Sequence, residues 1–187
     1  MNNTIPSDID STLSLLGQGG YIADRSLATT LFLALNMGRP LFLEGEAGVG
    51  TTELAKVLSK TLELHLVRLQ CYEGLDEAKA LYEWKYGKQL LYTQVLKDKL
   101  NDIISDSKGL ESSIESLHNF DDIFFSDKFL EPRPLLKAIN NDEGAVLLID
   151  EIDKSDDEFE AFLLEILSDY QVSIPEIGTI KGKVKPI

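Results

Sequence analysis

The chain has 187 residues, 43% of them hydrophobic and 27% charged, which is enough for one domain with a substantial core. Its formal net charge of −14 argues against nucleic acid as a partner, because contacts to a phosphate backbone need a basic surface. A single cysteine, Cys71, excludes an internal disulfide and indicates a reducing compartment, for which we expect the cytoplasm. No stretch approaches the roughly 20 apolar residues of a membrane span, and the N-terminus does not have the pattern of a signal peptide.

Two helices separated by a glycine-rich turn are predicted first. Residues 1–7 are expected to be disordered, and a cap at Ser7 or Asp8 begins a helix that the turn GQGG at 17–20 ends. The second helix is predicted over residues 24–37, where a glycine and a proline soon follow.

A phosphate-binding loop is predicted next. The apolar run at 40–45 indicates a first buried strand, and a helical pattern follows the loop to about residue 62. Strand, glycine-rich turn and helix in this order match the phosphate cradle G-x-x-x-x-G-K-S/T. Its glycines permit positive φ, and the N–H groups of the loop and helix start point at the phosphates. The candidate binding residues are Gly45, Glu46, Ala47, Gly48, Val49, Gly50, Thr51 and Thr52.

One position departs from this pattern, because Thr51 stands where the pattern has lysine. The Thr52 hydroxyl can still reach a magnesium ion, so the missing part is the cation that contacts the β and γ phosphates. A hydrogen bond to a charged group is worth roughly 1.5 to 3 kcal/mol, so nucleotide affinity is expected to fall about 10- to 150-fold. Loss of charge stabilisation in the transition state costs a few kcal/mol more, by analogy with roughly 2.7 to 4 kcal/mol for one oxyanion donor. We therefore expect weak binding and impaired hydrolysis.

The middle of the chain is less regular. Residues 65–71 alternate in polarity and predict a second strand. The segment 89–100 has a helical pattern, and 105–118 is polar and predicted to be exposed. A helix is predicted over 129–140, with Pro132 or Pro134 near its first turn.

A second chemical motif follows in GAVLLIDEID. Its apolar run at 145–149 is typical of a parallel strand covered on both faces. Asp150 and Glu151 end that strand, so they are expected to face the glycine loop at the carboxyl edge of the sheet. Asp150 is predicted to hold magnesium and Glu151 to polarise the attacking water as general base. A helix over 155–170 and a hairpin within 172–184 complete the pattern.

These motifs together resemble the MoxR group of AAA+ ATPases, in particular its CoxD-like branch, over almost the whole chain from about residue 8. The similar segments are GGYIADRSLATTLFLAL, GEAGVGTTELAKVL, RLQCYEGLD, YEW, RPLLKAI, LLIDEIDK and FEAFLLEILSDYQVSIPEIGTI. The resemblance implies a P-loop NTPase fold of the α/β class, a three-layer α/β/α arrangement with a parallel sheet, and ATP with Mg2+ as cofactors. It also implies that Thr52 and Asp150 bind magnesium, that Glu151 is the catalytic base, and that Tyr21 and Ile22 lie near the adenine.

Members of this group are ATP-driven, usually hexameric, chaperone-like machines that mature or activate partner complexes, often metalloenzymes. The resemblance therefore implies a homo-hexamer acting on a client protein complex. Residues 1–187 correspond to one large nucleotide-binding subdomain, incomplete at the C-terminus and without the family's sensor 1 strand, arginine finger and helical lid. In the family that strand lies between the strands at Leu41 and Val146, so we expect unpaired strand edges and a chain that is poorly stable or aggregates alone.

Three functions remain open from the sequence. The first is ATP-driven remodelling of a partner, which the intact pair Asp150 and Glu151 favours. The second is a hydrolysis-dead interaction module that docks into hexamers of an intact relative, which Thr51 favours. The third is a non-functional fragment, an incomplete or altered copy of an active protein. A GTPase is disfavoured, because the chain has no N-K-x-D guanine signature.

Overall fold

The computed structural model describes residues 5–45, 50–95, 126, 128–175 and 177–187. The described helices include α1 (Ile9–Gln18), α2 (Arg25–Met37), α3 (Thr51–Thr61), α4 (Glu77–Leu81), α5 (Pro134–Ile139) and α6 (Asp157–Asp169). Residues 86–95 are also helical, and Ile152–Lys154 form a short 3-10 helix. The described strands are β1 (His65–Gln70), β2 (Tyr82–Trp84), β3 (Leu130–Pro132), β4 (Ala145–Asp150), β5 (Gln171–Ile174) and β6 (Gly178–Lys181).

A parallel pair of strands, β1 and β4, lies between two layers of side chains. Their register runs from His65 opposite Ala145 to Gln70 opposite Asp150, so the carboxyl ends of both strands are side by side. Val146 belongs to the core cluster formed with α1, α2 and α3, whereas Leu147 packs against a cluster that includes residues of α5 and α6. The predicted parallel strand with both faces covered is therefore confirmed.

The predicted first strand at 40–45 is wrong, because the structure has no regular strand there. Leu41 and Leu43 nevertheless pack against the core cluster of α1, α2 and α3, while Phe42 is 73% exposed. The alternation of buried and exposed side chains is thus that of a strand, but a strand also requires a ladder partner for its backbone.

The edge of β4 opposite β1 binds the last residue of the sequence instead. The Leu147 N–H donates to the Ile187 carbonyl and the Ile187 N–H donates to the Ala145 carbonyl, each at 2.8 Å. These are the bonds of a parallel ladder, so the chain at Ile187 runs alongside β4. Segment 40–45 therefore has no hydrogen-bonded strand beside it among the described residues.

The predicted helix over 129–140 is wrong in its first part. Residues of β3 pair antiparallel with β2, and the helix, α5, begins only at Pro134. Glu131 and Arg133 each precede a proline, which disfavours the helical conformation of a residue and favours extended backbone. Pro134 itself occupies the first helical position, where its missing N–H costs nothing.

The remaining predicted elements within the described residues are confirmed with small shifts of their ends. Asp8 caps α1, whose helix extends to Gln18, and Asp24 caps α2, which ends at Gly38 with φ 58°. The helices α3 and α6, the strand β1 and the hairpin of β5 and β6 also form as predicted. The predicted polar segment 105–118 and part of the predicted helix 89–100 lie outside the described residues. None of the described helices has the length and apolar character needed to cross a membrane.

Candidate nucleotide-binding site

The start of α3 has the backbone geometry that a phosphate loop requires. Gly50 immediately precedes the helix with φ 92°, a left-handed conformation that glycine adopts without strain. No side chain of a described residue caps the first N–H groups of α3, whereas aspartates cap α1, α2 and α6. Free N–H groups at a helix start bind anions, aided by the helix dipole. Gly45 is exposed at the other end of the loop, and the candidate residues Glu46, Ala47, Gly48 and Val49 lie outside the described part of the chain.

The two residues expected near the adenine differ in their surroundings. The ring of Tyr21 lies beside the loop, 3.6 Å from where a Cβ on Gly50 would stand. Tyr21 is half-buried against the cluster of α1, α2 and α3. The Ile22 side chain is fully exposed. The structure therefore brings Tyr21, but not Ile22, to the start of α3.

The two candidate magnesium ligands, Thr52 and Asp150, are 98 residues apart in the sequence but in contact in the fold. The Thr52 hydroxyl, in the first turn of α3, donates to Asp150 Oδ2 at 3.4 Å at the end of β4. Magnesium binds oxygen ligands at about 2.0 to 2.1 Å in octahedral geometry, so neighbouring ligands are about 3 Å apart. The hydroxyl and carboxylate oxygens fit this spacing with a small adjustment. Among the described residues no group of three or more His, Cys, Asp or Glu side chains could hold a metal by itself, so phosphate oxygens or water would complete the shell.

The carboxylates of Asp150 and Glu151 are held by two side chains of β1 that the sequence motifs do not include. Arg68 Nη2 donates to Asp150 Oδ2 at 2.7 Å and to Gln70 Oε1, also at 2.7 Å. Gln70 Nε2 in turn donates to Glu151 Oε2 at 2.6 Å. Arg68 and Gln70 are two residues apart on one strand and so share a face. These polar residues alternate with the buried Val67 and Leu69, which predicts that they share the other face of the strand, but their contacts follow only from the register with β4.

Glu151 has an unusual backbone conformation, with φ 56° and ψ 44°. Left-handed backbone is costly for residues other than glycine and occurs disproportionately at functional positions. Lys154 Nζ lies 2.6 Å from Glu151 Oε2, and its hydrogen bond to that carboxylate raises the pKa of Lys154. Glu151 is therefore fixed by its backbone, by Gln70 and by Lys154 at the edge of the candidate site.

Cys71 follows β1 and is buried among apolar side chains. Its side chain is 1% exposed, and burial, with the nearby Asp150 carboxylate second in effect, raises the pKa of the thiol to about 11. The thiol is therefore protonated at neutral pH and has little nucleophilic character. Its backbone contributes to the site instead, because the Cys71 N–H donates to the Asp150 carbonyl at 2.9 Å.

This geometry fits a P-loop nucleotide-binding domain, and comparison with known proteins gives the family. The sequence profile of the AAA domain (dynein-related subfamily) matches residues 40–186, so the chain belongs to this family. The chain is also 33% identical over 96 residues to "Uncharacterized protein YojN" of Bacillus subtilis (strain 168). That match covers 44% of this chain and 31% of YojN, so the chain spans less than a third of this relative. No solved structure matches the chain significantly.

Proposed function

We propose that this chain is the ATP-binding module of a MoxR-type AAA+ protein whose turnover Thr51 impairs. The observation that carries the proposal is the bond between the Thr52 hydroxyl and Asp150 Oδ2, which joins the start of α3 to the end of β4. In a P-loop NTPase these two elements supply the phosphate-binding N–H groups and the magnesium ligands. Membership of the AAA family supports ATP as the nucleotide.

Each residue of the site has a definite task in this proposal. The loop from Gly45 to Thr52 binds the phosphates through backbone N–H groups, and Gly50 permits the close approach. Thr52 and Asp150 would hold Mg2+, which supplies charge neutralisation at the β and γ phosphates. Glu151 accepts a proton from the attacking water, and Gln70 orients its carboxylate through the 2.6 Å hydrogen bond. Tyr21, whose ring lies beside Gly50, would contact the adenine.

Thr51 limits what this machinery can do. Its side chain is half-buried in the first turn of α3 and has no charge. A hydroxyl on one carbon cannot replace an ammonium at the end of a four-carbon stem. The chain therefore binds ATP weakly and hydrolyses it slowly, even though Glu151 is in place.

The wider role follows from the resemblance to the MoxR group. We propose a homo-hexameric assembly that remodels or matures a client protein complex, without nucleic acid as a partner and without a membrane span. The net charge of −14 supports the exclusion of nucleic acid. The single buried cysteine fits a reducing compartment, and we place the protein in the cytoplasm.

Removal of one hydroxyl tests the binding site directly. Thr52→Val keeps the side-chain shape but deletes the donor to Asp150 and the magnesium ligand. Isothermal titration with MgATP should show binding about tenfold or more weaker than in the unchanged chain, as expected for a bond to a charged group. Thr29→Val is the matched control, because that threonine donates only within its own helix, to the Arg25 carbonyl at 2.7 Å. Equal affinity in Thr52→Val and the control, or no MgATP binding by the unchanged chain, would contradict the proposal.

A hydrolysis-dead interaction module is the second candidate, and the uncharged Thr51 at the start of α3 favours it. In this case the chain binds an intact relative whether or not ATP is present. Co-assembly with an intact MoxR-type hexamer, measured by analytical ultracentrifugation with and without MgATP, separates the two functions. Assembly that is unchanged by Thr52→Val indicates the interaction module, whereas nucleotide-dependent assembly indicates the ATP-binding function.

A further inference from the structure

Arg68 and Thr52 contact the same oxygen of Asp150. Arg68 Nη2 lies 2.7 Å from Oδ2, and the Thr52 hydroxyl donates to that atom at 3.4 Å. The Asp150 side chain is 19% exposed and the Arg68 side chain 54% exposed, so the pair lies at the mouth of the site and not in the core. A positive charge thus stands against the carboxylate oxygen that also faces α3.

The position of Arg68 is set by more than this one ion pair. Its guanidinium also donates to Gln70 Oε1, and Gln70 donates to Glu151. Both β1 residues lie on a strand whose register with β4 places Gln70 directly opposite Asp150. The arginine is therefore part of a chain of hydrogen bonds that spans both carboxylates of the site, unlike a solitary surface ion pair.

We propose that Arg68 competes with the divalent cation for Asp150 and so sets the metal affinity of this site. A magnesium ion would bind Oδ2 at about 2.0 to 2.1 Å. A guanidinium nitrogen 2.7 Å from the same oxygen would then lie close to the metal, and two cations at such a distance repel each other strongly. Binding of the metal requires the guanidinium to leave Oδ2, which costs the ion pair. This inference deepens the proposed function, since it concerns the carboxylate assigned to Mg2+ there.

The competition between Arg68 and the metal matters because position 51 has no lysine to supply a positive charge. In the loop pattern the cation beside the phosphates comes from the start of the helix, but Thr51 supplies none. Among the described residues the cation bonded to Asp150 comes from β1 instead. Whether Arg68 or a metal ion occupies Asp150 therefore decides which cation the site presents to an anion.

Manganese binding without any nucleotide tests the proposal. The electron paramagnetic resonance signal of free Mn2+ is measured during titration of the unchanged chain and of Arg68→Gln. We expect Arg68→Gln to bind one Mn2+ about tenfold more tightly, a change within the range for loss of a competing charged hydrogen bond. Adding Asp150→Asn to Arg68→Gln should abolish the gain. The experiment does not depend on ATP, so its outcome is separate from the test of nucleotide binding.

Two controls make the result specific. The control Arg133→Gln removes another half-exposed arginine, one that is paired with Glu83 away from the candidate site. It changes the net charge by the same amount as Arg68→Gln, so it shows whether net charge alone alters Mn2+ affinity. Arg68→Met removes the charge with a different side chain and serves where Arg68→Gln does not fold, as judged by circular dichroism. Equal Mn2+ affinities in the Arg68 variants and the unchanged chain would overturn the proposal. A gain that persists with Asp150→Asn, or that Arg133→Gln reproduces, would also overturn it.

Discussion

Gln70 Nε2 donates a 2.6 Å hydrogen bond to Glu151 Oε2 across the carboxyl ends of β1 and β4. Gln70 lies opposite Asp150 in the register of the two strands. Its side-chain amide therefore reaches Glu151, the residue after Asp150. Glu151 is held by this bond, by Lys154 and by a left-handed backbone. The candidate base is thus positioned by both main-chain and side-chain constraints.

Backbone strain at Glu151 should be measurable. Left-handed backbone costs an L-residue roughly 1 to 2 kcal/mol, a cost that glycine avoids. Glu151→Gly and Glu151→Ala lose the same bonds to Gln70 and Lys154, so they differ mainly in this backbone cost. We expect the free energy of unfolding in urea to be about 1 kcal/mol higher for the glycine variant. An alanine variant as stable as the glycine variant would show that the residue is not strained.

Replacing Gly50 or Gly17 by alanine should change the free energy of unfolding in opposite directions. Gly50 has φ 92°, and an added Cβ would make only ordinary contact with Tyr21 at 3.6 Å, so Gly50→Ala is penalised by backbone conformation. We expect a loss of about 1 to 2 kcal/mol in the free energy of unfolding. Gly17 lies within α1 with open space around it, so Gly17→Ala should gain about 0.5 to 1 kcal/mol. Urea unfolding of both variants checks the pair, and a Gly50→Ala variant as stable as the unchanged chain would contradict the loop geometry.

Alkaline pH should destabilise the chain partly through Cys71. Burial raises the pKa of this thiol from 9.0 to about 11, so the unfolded chain loses the thiol proton at lower pH than the folded chain. The stability contributed by the neutral thiol is complete below pH 9 and is lost as the pH rises toward 11. A shift of this size corresponds to roughly 3 kcal/mol.

The measurement is the free energy of unfolding between pH 8 and about 11. Cys71→Ala should be less stable at neutral pH because of its smaller side chain, but its stability should fall less steeply with pH. Parallel pH profiles for the two proteins would show that the thiol does not contribute.

The spacing of apolar residues and the glycines that flank them predicted the helix and the strand that carry the site. The helix after Gly50 and the strand ending at Asp150 both have local signals: an amphipathic repeat in one, a continuous apolar run in the other. Segment 40–45 has a similar apolar signal, yet it is not a strand in the structure. Its side chains reach the core, but ladder formation depends on a neighbouring strand, which a local pattern cannot show.

The other differences between the predictions and the structure arise from contacts between segments that are far apart in the sequence. Residues of β3 were assigned to a helix because the two prolines were read as a helix start, while the pairing with β2 lies almost fifty residues away. Arg68 and Gln70 were missed for a similar reason. Their contacts to Asp150 and Glu151 cross more than 80 residues of sequence and follow only from the register of β1 with β4.

We expect the chain to bind ATP in this loop, with an affinity that Thr51 lowers because it supplies no positive charge. Isothermal titration of MgATP into the unchanged chain, Thr51→Lys and Thr51→Gln tests it most directly, because glutamine adds length without charge. We expect weak binding by the unchanged chain and by Thr51→Gln, and affinity about 10- to 150-fold higher for Thr51→Lys. Equal affinities for the lysine and glutamine variants, or no binding by Thr51→Lys, would contradict it.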